Sequence, residues 1–210
     1  MNKSFLILFL TIINGQALDI TFRYVENPND DFVRMFVPGE MNDWGPNSNG
    51  FINPTAPSLM TYSESTKSYN KTYSLDVGQT YLYKYHFHHN QSGSDYSWIP
   101  DPLNPEMTND NYNNSILEVT DPLFFQATKH YDDEGMVDGI SAGIFSSENI
   151  DIINLSIGDE TIDIIDLYDS DTGILYYSVS PPTSIYESYL LEAVINGATY
   201  TIIDQASITY

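Results

Sequence analysis

Two tryptophans, one strand lysine and a group of asparagines are the residues of this chain whose types and spacing suit surface chemistry. Trp44 lies in Pro38-Gly39-Glu40-Met41-Asn42-Asp43-Trp44-Gly45, and Trp98 in Ser97-Trp98-Ile99-Pro100-Asp101-Pro102. Both stretches read as loops. Between them, Thr80–His88 alternates: period 2 puts Tyr81, Tyr83, Tyr85 and Phe87 on one face, and Leu82, Lys84, His86 and His88 on the other. The aromatic face is a core face, so Lys84 becomes a fixed donor above a sheet. Sugars present apolar C–H faces rimmed by hydroxyls, which ring platforms plus a few polar groups match. The plainer alternative stays open: each Trp caps the end of a core, and Lys84 sits on a solvated face.

Other chemistries fit less well. His86, His88 and His89 offer imidazoles, but no well-spaced third ligand accompanies them, and Lys84 on the same face repels a cation. These histidines are expected at an exposed polar strand end. Asp169-Ser170-Asp171-Thr172-Gly173 has hard oxygens but lacks the full calcium-loop pattern, and reads as a hairpin turn. Glycoside hydrolysis needs two positioned carboxylates, and no βα repeat exists to position them at strand ends. With no cysteine there is no disulfide, thiolate metal site or thiol nucleophile. No catalytic residue, metal or cofactor is expected.

The elements that must position these residues are strands. Short runs of Ile, Val, Tyr, Phe and Thr alternate with Gly, Pro, Asn, Asp and Ser, and no long helical period appears. The fold class expected is all-β: two immunoglobulin-like β-sandwich domains in tandem. Residues 1–17 read as a signal peptide, with Lys3 before an apolar run and Gly15-Gln16-Ala17 at a cleavage point. That run is too short to span a bilayer. The chain is therefore expected to be secreted, or periplasmic. The first domain takes residues 18–121 and the second 122–210, with Asp121-Pro122 as the junction. The first holds 14 acidic and 5 basic residues; the second holds 15 and 1. A net charge of −22 over 210 residues argues against nucleic acid or an anionic membrane as partner.

Four segments of the first domain resemble the starch- and glycogen-binding early-set modules of carbohydrate-binding module family 48. Val37 to Gly45 is similar to their "G-x-F-N-x-W" turn and Tyr83-Lys84-Tyr85 to "Y-K-F". Trp98 to Pro105 is similar to "W-x-x-D-P" and Asn113 to Val119 to "N-N-x-I-x-V". The resemblance implies that Trp44 and Trp98 stack on sugar while Lys84 and Asn114 bond glucosyl hydroxyls. Tyr112 stands where kinase-type binders have a short Leu-x-Thr run, and it either stacks or packs. The stretch Asn47 to Pro57 is longer than the family needs. The second half resembles an immunoglobulin-like spacer placed before an α-amylase-type barrel. Together these imply a non-catalytic α-glucan-binding accessory region of a secreted glycoside hydrolase. Its partners would be an α-glucan chain and a catalytic domain beyond Tyr210. The rival is a purely structural pair of sandwiches.

Overall fold

The computed structural model describes residues 15–26, 30–184 and 187–203. Residues 1–14 of the expected signal segment lie outside these. Strands are nearly all of the regular structure of the described chain, as the alternating patterns predict. Among the described residues, no helix is long and apolar enough to cross a membrane.

In the first half the strands are β1 (Ala17–Val25), β2 (Arg34–Phe36), β3 (Asn47–Ser48), β4 (Phe51–Ile52), β5 (Thr61–Ser63), β6 (Ser68–Asp76), β7 (Thr80–Tyr83), β8 (Tyr85–His88), β9 (Tyr96–Ile99) and β10 (Ser115–Glu118). They form sheets in the orders β1-β6-β5, β2-β8-β9, β10-β7 and β3-β4. The second half has β11 (Leu123–Tyr131), β12 (Val137–Phe145), β13 (Ile150–Ile157), β14 (Glu160–Asp163), β15 (Tyr168–Asp169), β16 (Ile174–Thr183), β17 (Tyr189–Ile195) and β18 (Ala198–Ile203). These make two four-stranded sheets, β11-β12-β16-β15 and β14-β13-β17-β18. The Asp169–Gly173 segment is the turn between β15 and β16, with the Asp171 N–H donating to Asp169 Oδ1 (2.9 Å).

The first core is aromatic. Leu18, Ile20, Phe22 and Tyr24 of β1 meet Tyr83, Tyr85 and Phe87, the alternate residues that period 2 assigns to the core. Phe22 lies edge-on to Tyr83 at 4.8 Å and to Phe125 at 5.8 Å. Such pairs add about 0.5–1.5 kcal/mol each beyond burial. This core also takes Leu123, Phe125, Phe145 and Ile174, so both halves of the chain close it. A second core, from Val137 to Ile195, lies wholly within the second half.

β1 is buried on both faces. Its even-numbered residues enter the first core, while Thr21 and Arg23 are also buried. Thr21 Oγ1 donates to the Thr172 carbonyl (2.6 Å), and the Arg23 N–H donates to Gln126 Oε1 (2.9 Å). The residues covering this outer face come from β11 and the turn before β16. Gln126 sits at a bulge in β11 with a left-handed φ of 58°.

A third, small core comprises Phe36, Ile52 and Ala56, with Leu59 and Trp98 packed against it. The stretch from Asn47 onward that the family resemblance leaves unexplained forms the β3–β4 hairpin. It folds over the outer face of β2-β8-β9. Ser58 locks it, donating to the Gly45 carbonyl (2.9 Å) and accepting at its own carbonyl from the Val37 N–H (3.0 Å).

Candidate glycan-binding site

Lys84 occupies a break between two strands. The run Thr80–His88 is not one strand: β7 pairs with β10, β8 pairs with β2 and β9, and Lys84 lies between them. Its N–H donates to the Pro38 carbonyl (2.9 Å), and Gly39 bridges Tyr83. The chain therefore switches sheets at Lys84 while holding the turn that leads to Trp44. Gly39 is required there by space. A Cβ on it would lie 2.7 Å from the Leu82 carbonyl oxygen and 2.8 Å from Tyr83 Cβ.

Trp44 follows one turn of 3-10 helix (Glu40–Asn42). Asn42 shapes the turn: its Oδ1 accepts from the Gly39 N–H (3.0 Å), and its Nδ2 donates to the Val37 carbonyl and Tyr73 Oη (both 2.8 Å). Asp43 and Trp44 both have left-handed φ, 53° and 58°. Trp44 is half-buried.

Asn114 precedes β10 and Lys84 follows β7, so the two flank the Ser115–Tyr83 pair that ends the ladder. Both are half-buried. Burial lowers the Lys84 pKa from its ordinary value, and Asp110 partly opposes this. Asp110 itself is held below the usual carboxylate range, first by the Thr108 hydroxyl, then by the Tyr112 N–H. Tyr112 is 71% exposed.

Trp98 stands in strand β9 rather than in a loop. It pairs with His86, so it shares the outer face of β8–β9 that Lys84 borders diagonally. Its indole N–H donates to the Gly50 carbonyl (3.0 Å), and its ring lies 4.6 Å from the His86 ring. The structure thus gathers Lys84, Asn114 and the Trp44 turn around one sheet switch, with Tyr112 on the flanking turn. Trp98 sits next door, under the hairpin.

The expectation that His86 and His88 lie at an exposed strand end is wrong. Both are fully buried, and none of their ring nitrogens has a hydrogen-bond partner. The hairpin, β2 and β9 cover them: Phe51 stacks on His88 at 5.9 Å, Phe36 lies 4.7 Å from it, and Trp98 lies 4.6 Å from His86. Burial holds the His86 pKa down to about 3, helped by His88 and His89. Among the described residues, no group of three or more His, Asp or Glu is fit to hold a metal ion.

Alternation and spacing did not reveal Asp101. This fully buried carboxylate accepts from Tyr83 Oη (2.6 Å), from Gln126 Nε2 and from the Leu103 N–H (2.8 Å). Its own N–H donates to Ser115 Oγ (2.7 Å). Asp101 thus ties the end of β9 to β7, β10 and the second half. Burial pushes its pKa up to about 6, against those hydrogen bonds. Arg23 is buried nearby with no hydrogen-bond partner on its guanidinium. Desolvation lowers its pKa to about 10, opposed by Tyr85 and Asp101. The sequence signal for Asp101 was the Asp-Pro pair after Trp98.

No protein-family model matches the chain, and no curated protein matches it. A solved structure of a maltogenic amylase from S. marinus overlays with a TM-score of 0.33 at 12% identity. The overlay covers 90% of this chain and 28% of that one. So low a score carries nothing about shared function.

Proposed function

We propose that the sheet switch at Lys84 binds an α-glucan chain without acting on it. One observation carries the reading: Lys84 and Asn114 flank the end of the β7–β10 ladder, next to the Tyr83–Ser115 pair, and the backbone of Lys84 holds the turn that presents Trp44. Paired polar groups beside a ring match a sugar's hydroxyl rim and C–H face. The choice of α-glucan comes from the resemblance of these four segments to family 48. In this proposal the chain is exported and serves as the accessory region of a glycoside hydrolase whose barrel follows Tyr210.

Affinity electrophoresis tests the reading. The chain is run through gels containing soluble starch, glycogen or a soluble β-1,4-glucan. Retardation by the α-glucans alone is expected, and it is lost in Lys84→Ala. Equal mobility in every gel rejects the reading.

One observation favours a structural role for this face. Trp98 spends its N–H on Gly50 and its ring on the third core. In that reading Trp98→Ala unfolds the hairpin, and no sugar retards the chain.

A further inference from the structure

Resting on the α-glucan reading, the geometry at the site points to a different pair of rings from the one the family resemblance implies. A stacking platform needs a bare ring face. Trp98 does not offer one freely. It is half-buried, its ring packs against the cluster of Phe36, Ile52 and Ala56 and meets His86 at 4.6 Å, and its N–H is bonded to Gly50.

Tyr112 has the opposite character. At 71% exposure it is the most exposed large apolar-bodied side chain among the described residues. Its backbone is nevertheless fixed. Asp110 Oδ1 accepts from Thr108 Oγ1 (2.9 Å), the Tyr112 N–H (2.9 Å) and the Asn113 N–H (3.0 Å). The Asn114 N–H donates to Thr108 Oγ1 (2.9 Å), and the Thr108 N–H donates to the Asn114 carbonyl (2.8 Å). The turn is closed at both ends. A tyrosine on a closed turn has only two side-chain torsions left to order, so little entropy is lost when a ligand lands on it.

Position completes the case. Tyr112 lies two residues from Asn114, which flanks the ladder end beside Lys84, and two from Asp110, whose charge acts on Lys84. We propose that Tyr112, not Trp98, is the second stacking ring. The glucan then runs across the 108–114 turn, over Lys84 and Asn114, between Tyr112 and Trp44. The β3–β4 hairpin walls off the Trp98 side, and Trp98 holds that wall in place.

The test is calorimetric titration of the purified chain with maltoheptaose. Wild type gives saturable binding. Tyr112→Ala weakens Kd by about three- to tenfold, the range of one aromatic contact, with an unchanged circular dichroism spectrum. Tyr112→Trp keeps wild-type affinity or improves it. Trp98→Phe keeps a ring under the hairpin but removes the donor to Gly50. It leaves Kd within about twofold, the low end of that range, while lowering Tm. If wild type binds and Tyr112→Ala binds equally well, the inference falls and the α-glucan reading stands. If wild type binds no α-glucan, both fall.

Discussion

Gln126 ties the two halves of the chain together, and its replacement shows how much that tie contributes. Its carboxamide accepts from the Arg23 N–H of β1 and donates to Tyr85 Oη (2.9 Å) and Asp101 Oδ2. It is 5% exposed, so water cannot take its place without rearrangement. Gln126→Ala leaves the Arg23 N–H without its acceptor, which costs about 1–3 kcal/mol. Asp101 loses a charge-assisted bond worth about 1.5–3 kcal/mol. Together a loss of about 3–5 kcal/mol is expected, a large share of the stability of an ordinary domain. Gln126 also holds a left-handed φ of 58°, a conformation costing about 1–2 kcal/mol for a residue with a Cβ. Gln126→Gly deletes the same hydrogen bonds but relieves that strain, so it is expected to be about 1 kcal/mol less damaging than Gln126→Ala. Urea unfolding followed by near-UV and far-UV circular dichroism gives both numbers. The two probes are expected to coincide, because the first core contains Leu123, Phe125, Phe145 and Ile174. A loss below about 1 kcal/mol for Gln126→Ala would show that the network contributes no more than an ordinary exposed bond. Two separated transitions would refute the shared core as a source of cooperativity.

Other consequences can be checked alongside. Burial holds His86 and His130 down to about 3, so the unfolded chain binds their protons below about 6.5 and the folded chain does not. Their contribution to stability is complete above that pH and is lost as pH falls toward 3. Asp101, pushed up to about 6, acts in the opposite direction between about 4 and 6. Replacing either histidine by Phe is expected to reduce the slope of stability against pH between 6 and 4 by about 1.4 kcal/mol per pH unit, read from urea midpoints. An unchanged slope would mean that the histidine titrates normally. Gly39→Ala drives a Cβ into the Leu82 carbonyl and Tyr83. A loss of about 1–3 kcal/mol is expected in thermal melts, together with weaker glycan retention, because the Trp44 turn and Lys84 share that contact. Asn114→Ala is expected to weaken glycan binding with little change in Tm, since it is the backbone of Asn114, not its side chain, that closes the turn on Thr108.

Much of the first core was legible because alternation is a local signal. Tyr83, Tyr85 and Phe87 fall where period 2 puts them, and Lys84 falls off the core face. The same rule failed where the cover comes from elsewhere in the chain. In Leu-Asp-Ile-Thr-Phe-Arg-Tyr, Thr21 and Arg23 alternate with core residues, yet both are buried, Arg23 by a residue 103 positions further on and Thr21 by one 151 positions on. His86 and His88 read as wet for the same reason, because the lid over them is the hairpin near Asn47. Trp98 read as loop because Pro100 and Pro102 follow it, although Tyr96–Ile99 completes a strand pair with β8 first. Of the candidate site, the outward placing of Lys84 was legible from alternation and the Trp44 turn from its Gly and Asn, whereas Asn114 was reached only through the family resemblance. The retirement of Trp98 beneath the hairpin was not, since nothing in a short motif reports what folds across it.

The two-sided burial of β1 sets an order of events during synthesis. A ribosome emits β1 before any of its partners. Most of its inner face can be covered once Leu117 and Val119 have emerged, and Thr21 meets Thr72 early, but the groups that cover its outer face arrive only with Gln126 and Thr172. Contacts so distant along the chain form late and slowly. Until they form, the outer face of β1 meets water, and Arg23 makes that face tolerable to water. A leucine at position 23 would leave a greasy strand waiting through the making of some hundred residues. The buried arginine thus keeps the waiting strand compatible with water, and in the finished fold its charge lies near the buried Asp101.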